Sequence, residues 1–392
     1  MKFKQKGRKI YKTKEKNFYG KSKASKIMSG ALTVLLIGGL CFLGYSAAEP
    51  IINYTKKAGD SSGSDSEKDS TQQSTTIPSA TNGTDSFADP VSSDEFRAAS
   101  IDPQALTDIS LLQTALRNIP SSEGIEYVAV PLKISGGELY YASEVYQAKS
   151  AGAVKSSLTL AQITTETISA GFRPAAVISV FEDNILPAKF PSFGFINTDG
   201  SAWTDGEAHK QWTSPFSKTA QDYVNAVASE ILSAGFDRVI CTKAEFPEMS
   251  DADLQSFAAA AGIADSDAVL AEVINDIQSE AVSKGKPLYL EISAAELLRG
   301  SDVFQPEQLD VSTIVLNIDF DEMGTLVDAG SMVYEFTGTN AENAEKALGL
   351  LEKKLQDFDV VVRFSGDGLY TSDLLDVKEV ISDFGYSSFI IG

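Results

Sequence analysis

Strand-like and helix-like runs alternate from residue 94 to residue 392. Helical runs close repeatedly on a glycine just ahead of the next strand, and eight strand-like runs can be counted. These observations predict an α/β fold: a (β/α)8 TIM-like barrel of parallel strands, in which functional groups gather where the strands run out. A single N-terminal transmembrane helix and a disordered linker are expected ahead of it.

Taken in order, residues 1–26 hold ten Lys, one Arg and a single acidic residue, Glu15. Residues 27–48 follow as 22 uncharged, mostly apolar positions. At 1.5 Å rise per residue that run spans a bilayer, and the flanking lysines place 1–26 in the cytoplasm. Ser46-Ala47-Ala48 also resembles a signal-peptide cleavage site, but the long basic lead and long apolar run favour an uncleaved anchor. Residues 49–93 are rich in Ser, Thr, Gly, Asp and Gln. Such a composition buries too little apolar surface to fold and reads as a tether.

Residues 94–392 are expected to form the barrel. Candidate strands are Glu95–Ile101, Glu126–Ile134, Pro174–Phe181, Arg238–Ala244, Pro287–Ser293, Ser312–Ile318, Asp359–Phe364 and Ser387–Ile391. Candidate helices include Asp108–Arg117, Thr159–Ala170, Lys218–Ala234, Asp251–Ala261, Asp267–Lys284, Ala341–Asp357 and Ser372–Phe384. Gly171, Gly235, Gly285 and Gly385 read as helix C-caps. A doubly wound open sheet is the competing topology, but no Gly-rich phosphate loop follows the first strand. With the last strand reaching Gly392, the final seam is expected to be covered by something other than an eighth helix, such as the segment before the first strand.

Charge excludes one class of partner. The net charge is −21, and without residues 1–26 there remain 22 basic and 53 acidic residues, a net of −31. A body so acidic does not take nucleic acid and suits neutral or cationic ligands. The two cysteines, Cys41 and Cys241, fall in the apolar run and in a predicted buried strand, so no disulfide is expected. His209 is the single histidine. A His/Cys metal site is therefore excluded, and no nucleophile elbow accompanies His209 as a triad member. No cofactor is expected.

Three passages carry a resemblance. They are Gly137–Val145 with Gly152-Ala153-Val154; Ser179–Asp183 with Gly200-Ser-Ala-Trp203-Thr-Asp205, Trp212 and Pro215; and Gly235–Pro247. Together they resemble the glycoside hydrolase-like (β/α)8 barrel domain of bacterial surface proteins, from about Glu95 to Gly392. The resemblance implies a barrel that handles glycans. It also implies an Asp midway through the fourth strand, where Thr242 stands, and an Arg where Glu245 stands. Val177 replaces the third strand's Arg, Pro131-Leu132-Lys133 keeps only the Lys of the second strand's motif, and a Trp near the last strand is missing. The chain reads as a degenerate member.

Glycoside hydrolysis generally needs two carboxyl groups flanking the scissile bond. Glu245 and Glu291, at the ends of adjacent predicted strands, are the best candidates for that pair. Glu182, Asp183, Asp319 and Asp321 are further strand-end carboxylates, any of which can instead cap the next helix. Lys133, Lys243 and Arg363 are candidate ligand cations or partners of those acids. Trp203 and Asp205 are candidate sugar contacts, whereas Trp212 reads as a loop staple. The expected molecule is a single-pass surface protein of Gram-positive type, its barrel outside the cell, binding polysaccharide or peptidoglycan-type glycan without cleaving it. An active glycosidase using Glu245 and Glu291, and a protein-interaction module, are the alternatives.

Overall fold

The strands Arg97–Ser100 (β1), Tyr127–Lys133 (β2), Arg173–Ser179 (β3), Arg238–Thr242 (β4), Leu288–Ser293 (β5), Thr313–Asp319 (β6), Asp359–Ser365 (β9) and Phe389–Ile391 (β10) form one closed barrel in the computed structural model. A separate antiparallel hairpin, Leu326–Asp328 (β7) with Val333–Glu335 (β8), lies between β6 and β9 and was not foreseen. Residues 95–120, 124–206, 209–300, 309, 311–366 and 371–392 are described, without the side chains of 371–375. The expected tail 1–26, span 27–48 and linker 49–93 lie outside them. Among the described residues no helix is long and apolar enough to cross a membrane.

All eight ladders are parallel, and β1 pairs with β10 to close the ring. Parallel strands need long crossovers, and the helices Leu160–Ser169, Lys218–Leu232, Ser266–Ser283, Asn340–Leu355 and Thr371–Asp383 provide most of them. Thr159 and Thr339 begin two of these with capping boxes. Gly171, Gly285 and Gly385 all take positive φ at or just past helix ends, as expected. Gly235 does not. Its own helix ends in Ser233 with ordinary right-handed φ, and Gly235 instead lies against Thr164.

Side chains alternate across each strand, so the wall divides the core. Phe96, Ala98, Ala129, Ala175, Ile240, Val315, Val361 and Ile390 fill the lumen. Outward residues such as Val130, Ile178, Val239, Leu316 and Val362 meet the helices. The lumen's lower end is closed by Arg238, 1% exposed, whose two terminal nitrogens each donate to a tyrosine hydroxyl at 2.6 Å, Tyr127 and Tyr289. Its guanidinium also lies over the Phe96 and Tyr127 rings at 4.6 and 4.2 Å. At the seam, Ile119 and Ile125 of the β1–β2 connection pack on the cluster that contains Ala99, Phe389 and Ile391. The segment expected there lies outside the described residues.

Candidate functional site

Extending the lumen alternation by one step brings Thr242 (after Ile240), Glu291 (after Tyr289), Asn317 (after Val315) and Arg363 (after Val361) to the C-terminal mouth. Arg363 Nη1 lies 2.7 Å from Glu291 Oε2, and Nη2 points to the Gly392 carbonyl at 3.4 Å. Beside them Ser365 Oγ bridges Asn317 Oδ1 at 3.0 Å and Asp319 Oδ2 at 2.8 Å. Asp319 also accepts from the Asp321 and Glu322 amides and so caps the short helix Phe320–Met323. On the β1–β2 side the mouth opens into a cavity of about 500 Å³, lined by Ser100, Asp102, Pro131, Val177, Arg363 and Gly392 among others.

The other half of the mouth holds a charge cluster around Lys243. This residue follows β4 directly and has φ +49, a left-handed conformation that costs a non-glycine residue on the order of 1 kcal/mol. Lys243 Nζ lies 3.3 Å from Glu245 Oε1. Burial opposes its charge, but Glu245, Glu296, Glu322 and Glu182 outweigh burial and hold its pKa above the ordinary lysine value. Glu245 is pushed from 4.5 up to about 8, first by burial and then by Glu296, against the pull of Lys243. Glu322 is raised as well, chiefly by burial.

Lys133 and Asp183 do not line the mouth. The β2–β3 register shifts between Pro131 and Lys133, so Pro131 stands opposite Val177 and Lys133 opposite Ile178. That bulge turns Lys133 to the side of Ile178, away from the lumen. There Lys133 Nζ lies 3.2 Å from Asp183 Oδ2 and donates to the Ser179 carbonyl at 2.9 Å. Both side chains are enclosed, at 2% and 0% exposure. Asp183 Oδ1 accepts from the Ile185 and Leu186 amides. Gly137, at φ +94, is placed so that a Cβ would collide with Asp183 Oδ1.

The aromatic loop after β3 is tied internally. Asp205 accepts from the Lys210 amide at 2.9 Å and from Trp212 Nε1 at 3.1 Å. Trp212 is buried, and Thr213 hydrogen-bonds back to Phe181. Trp203 packs edge-on against Phe195 and Phe257 while remaining half-buried. The Trp-x-Asp and Trp-x-x-Pro elements thus hold one another in place, and Asp205 serves the loop. Lys210 reaches Glu182 at 3.1 Å.

The candidate residues therefore fall into separate groups. Glu291 joins Arg363, Glu245 joins Lys243 and Glu296, and the two expected partners Glu245 and Glu291 belong to different networks. The sequence reading missed Glu296, which lies in the helix Ala294–Arg299 and enters the mouth only because β5 turns straight into that helix. It also missed the Arg238 plug. Burial pushes the Cys241 thiol up to about 12, and among the described residues no group of three or more His, Cys, Asp or Glu could hold a metal ion.

Set against known proteins, residues 103–335, more than half the chain, match the family described as "Putative glycosyl hydrolase domain". The chain belongs to that family. No curated protein matches it. Among solved structures, the glycoside hydrolase domain of PgaB (BpsB) from Bordetella bronchiseptica aligns with a TM-score of 0.52 and 12% identity, over 76% of this chain and 94% of that one. A hypothetical protein from Ruminiclostridium thermocellum aligns at TM-score 0.40 and 19% identity, over 49% of this chain and 96% of that one. A β-N-acetylhexosaminidase from Bacteroides fragilis aligns at 0.45 and 11%, over 69% and 50% respectively. At such identities the likeness to the Bordetella domain is one of fold, and it supports the (β/α)8 barrel of this glycosyl hydrolase-like chain.

Proposed function

We propose that this member of the glycosyl hydrolase-like family is a glycan-binding barrel, tethered outside the cell by residues 27–48 and 49–93, that retains polysaccharide or peptidoglycan-type chains without cleaving them. The observation that carries this reading is the Arg363–Glu291 pair. The lumen carboxylate nearest the strand ends is engaged by a guanidinium at 2.7 Å. Thr242, at the strand position where the resemblance implies an Asp, has a hydroxyl that neither donates a proton as a carboxylic acid does nor ionises near neutral pH. Asp319, at the end of β6, is engaged by a helix N-terminus and Ser365.

A second reading draws on Glu245. A carboxyl group with its pKa raised to about 8 is protonated at neutral pH and suited to general acid catalysis, which favours an active glycosidase using Glu245 and Glu291.

One experiment separates the two. The full chain in detergent is offered a panel of polysaccharides and wall glycan, with retention and new reducing ends both measured. Retention without new reducing ends supports the binding reading. Hydrolysis that disappears in Glu245→Gln establishes the catalytic one, and absence of retention moves the balance to a protein partner.

A further inference from the structure

We propose that the cavity on the β1–β2 side of the mouth selects uncharged sugar chains and rejects anionic ones, a specificity that rests on the glycan-binding reading above. Its lining suits a pyranose ring: Pro131 and Val177 give apolar wall, while Ser100, Asp102 and Arg363 give a few polar groups. A uronate or phosphate needs more than donors, because it must also find a cation whose charge is not already met. The described mouth provides none. Arg363 faces Glu291 at 2.7 Å and Lys210 faces Glu182 at 3.1 Å, while Lys243, 3.3 Å from Glu245, also lies in the field of Glu296, Glu322 and Glu182. Lys133, which would have been the cation nearest Pro131, is turned out of the lumen by the β2 bulge and enclosed with Asp183.

What remains at the cavity is a carboxylate. Asp102 accepts from the Gln104 amide and has no ion-pair partner among the described residues. An approaching anion would therefore meet a neutralised guanidinium on one side and a like charge on the other, while sugar hydroxyls can donate to Asp102 and accept from Arg363. The selectivity is electrostatic, so it should be strongest at low salt.

The test titrates the full chain in detergent, at low ionic strength, with neutral β-glucan, xylan, mannan and N-acetylated chitin-type oligosaccharides and with uronate- or phosphate-bearing oligosaccharides of matched length. Neutral oligosaccharides should bind at least tenfold more tightly than their anionic counterparts. Glu291→Gln keeps the side-chain shape but leaves Arg363 with its charge unmet, and should raise affinity for the anionic series about tenfold. Asp102→Asn, which preserves the acceptor for Gln104, should raise it several-fold. Equal or tighter binding of the anionic series by the unaltered protein overturns the proposal, as does unchanged discrimination in both variants, with glycan binding itself intact. Binding of neither series by the folded chain removes the glycan-binding reading, and the proposal with it.

Discussion

Lys133 Nζ and Asp183 Oδ2 stand 3.2 Å apart with almost no solvent reaching either side chain. The pair joins the end of β2 to the loop after β3, and the same carboxylate caps the turn at Ile185 and Leu186. Replacing Asp183 with Ala leaves an ammonium enclosed and two amides unmet. The expected loss is about 3–5 kcal/mol of unfolding free energy, read from urea denaturation. A loss below 1 kcal/mol would show that Lys133 finds solvent in the variant.

Gly137 makes a related prediction. Its φ of +94 disfavours any side chain, and a Cβ would also strike Asp183, whereas Gly152 at φ +75 has open space around it. Gly152→Ala should therefore cost only the conformational term, about 1 kcal/mol. Gly137→Ala should cost at least twice as much, because the buried pair must shift. Equal losses in the two variants would count against a tight contact between residue 137 and Asp183.

Glu245 links stability to pH. Its folded pKa of about 8 lies above the ordinary 4.5, so the folded chain binds more protons than the unfolded chain between those values. Stability from this group is accordingly full below about pH 4.5 and declines as pH rises to about 8. Glu245→Gln removes that titration. The melting temperature of the variant relative to the parent should climb through this window and level off above it. A difference independent of pH would show that Lys243 keeps Glu245 ionised in the folded chain.

Trp212→Phe keeps the buried ring but removes the Nε1 donor to Asp205. The expected cost is about 1 kcal/mol. It should be accompanied by faster limited proteolysis within residues 203–213, where Asp205 holds Lys210 and Trp212 together. Unchanged cleavage would mean that the Lys210 amide alone secures the loop.

The barrel was legible because its signals are local. Most strands are short apolar runs, several of them β-branched, and glycines such as Gly171 and Gly385 end helices through backbone conformations that other residues adopt at a cost. Asp319 was readable as a helix cap for the same reason, since a cap acts two or three residues away, and Asp183 holds the turn at Ile185 and Leu186 over the same short range. The site was much less legible. Arg363 meets Glu291 across 72 residues of sequence, and Arg238 meets Tyr127 across 111. No periodicity encodes which acid receives which base across a barrel. Glu296 escaped notice because its helix starts at once after β5, so that a residue reading as helix lies at the mouth. The hairpin β7–β8 escaped because each strand is three residues long.

The β2 bulge reaches further than its size suggests. Had β2 run on without the shift after Pro131, alternation would have carried Lys133 into the lumen alongside Arg363, adding a second cation beside the engaged Glu291. The extra residue instead assigns that ammonium to the scaffold, where it secures a loop. Whether a barrel of this kind welcomes acidic polymers can thus turn on a change in residue count within one strand, with no charged residue gained or lost.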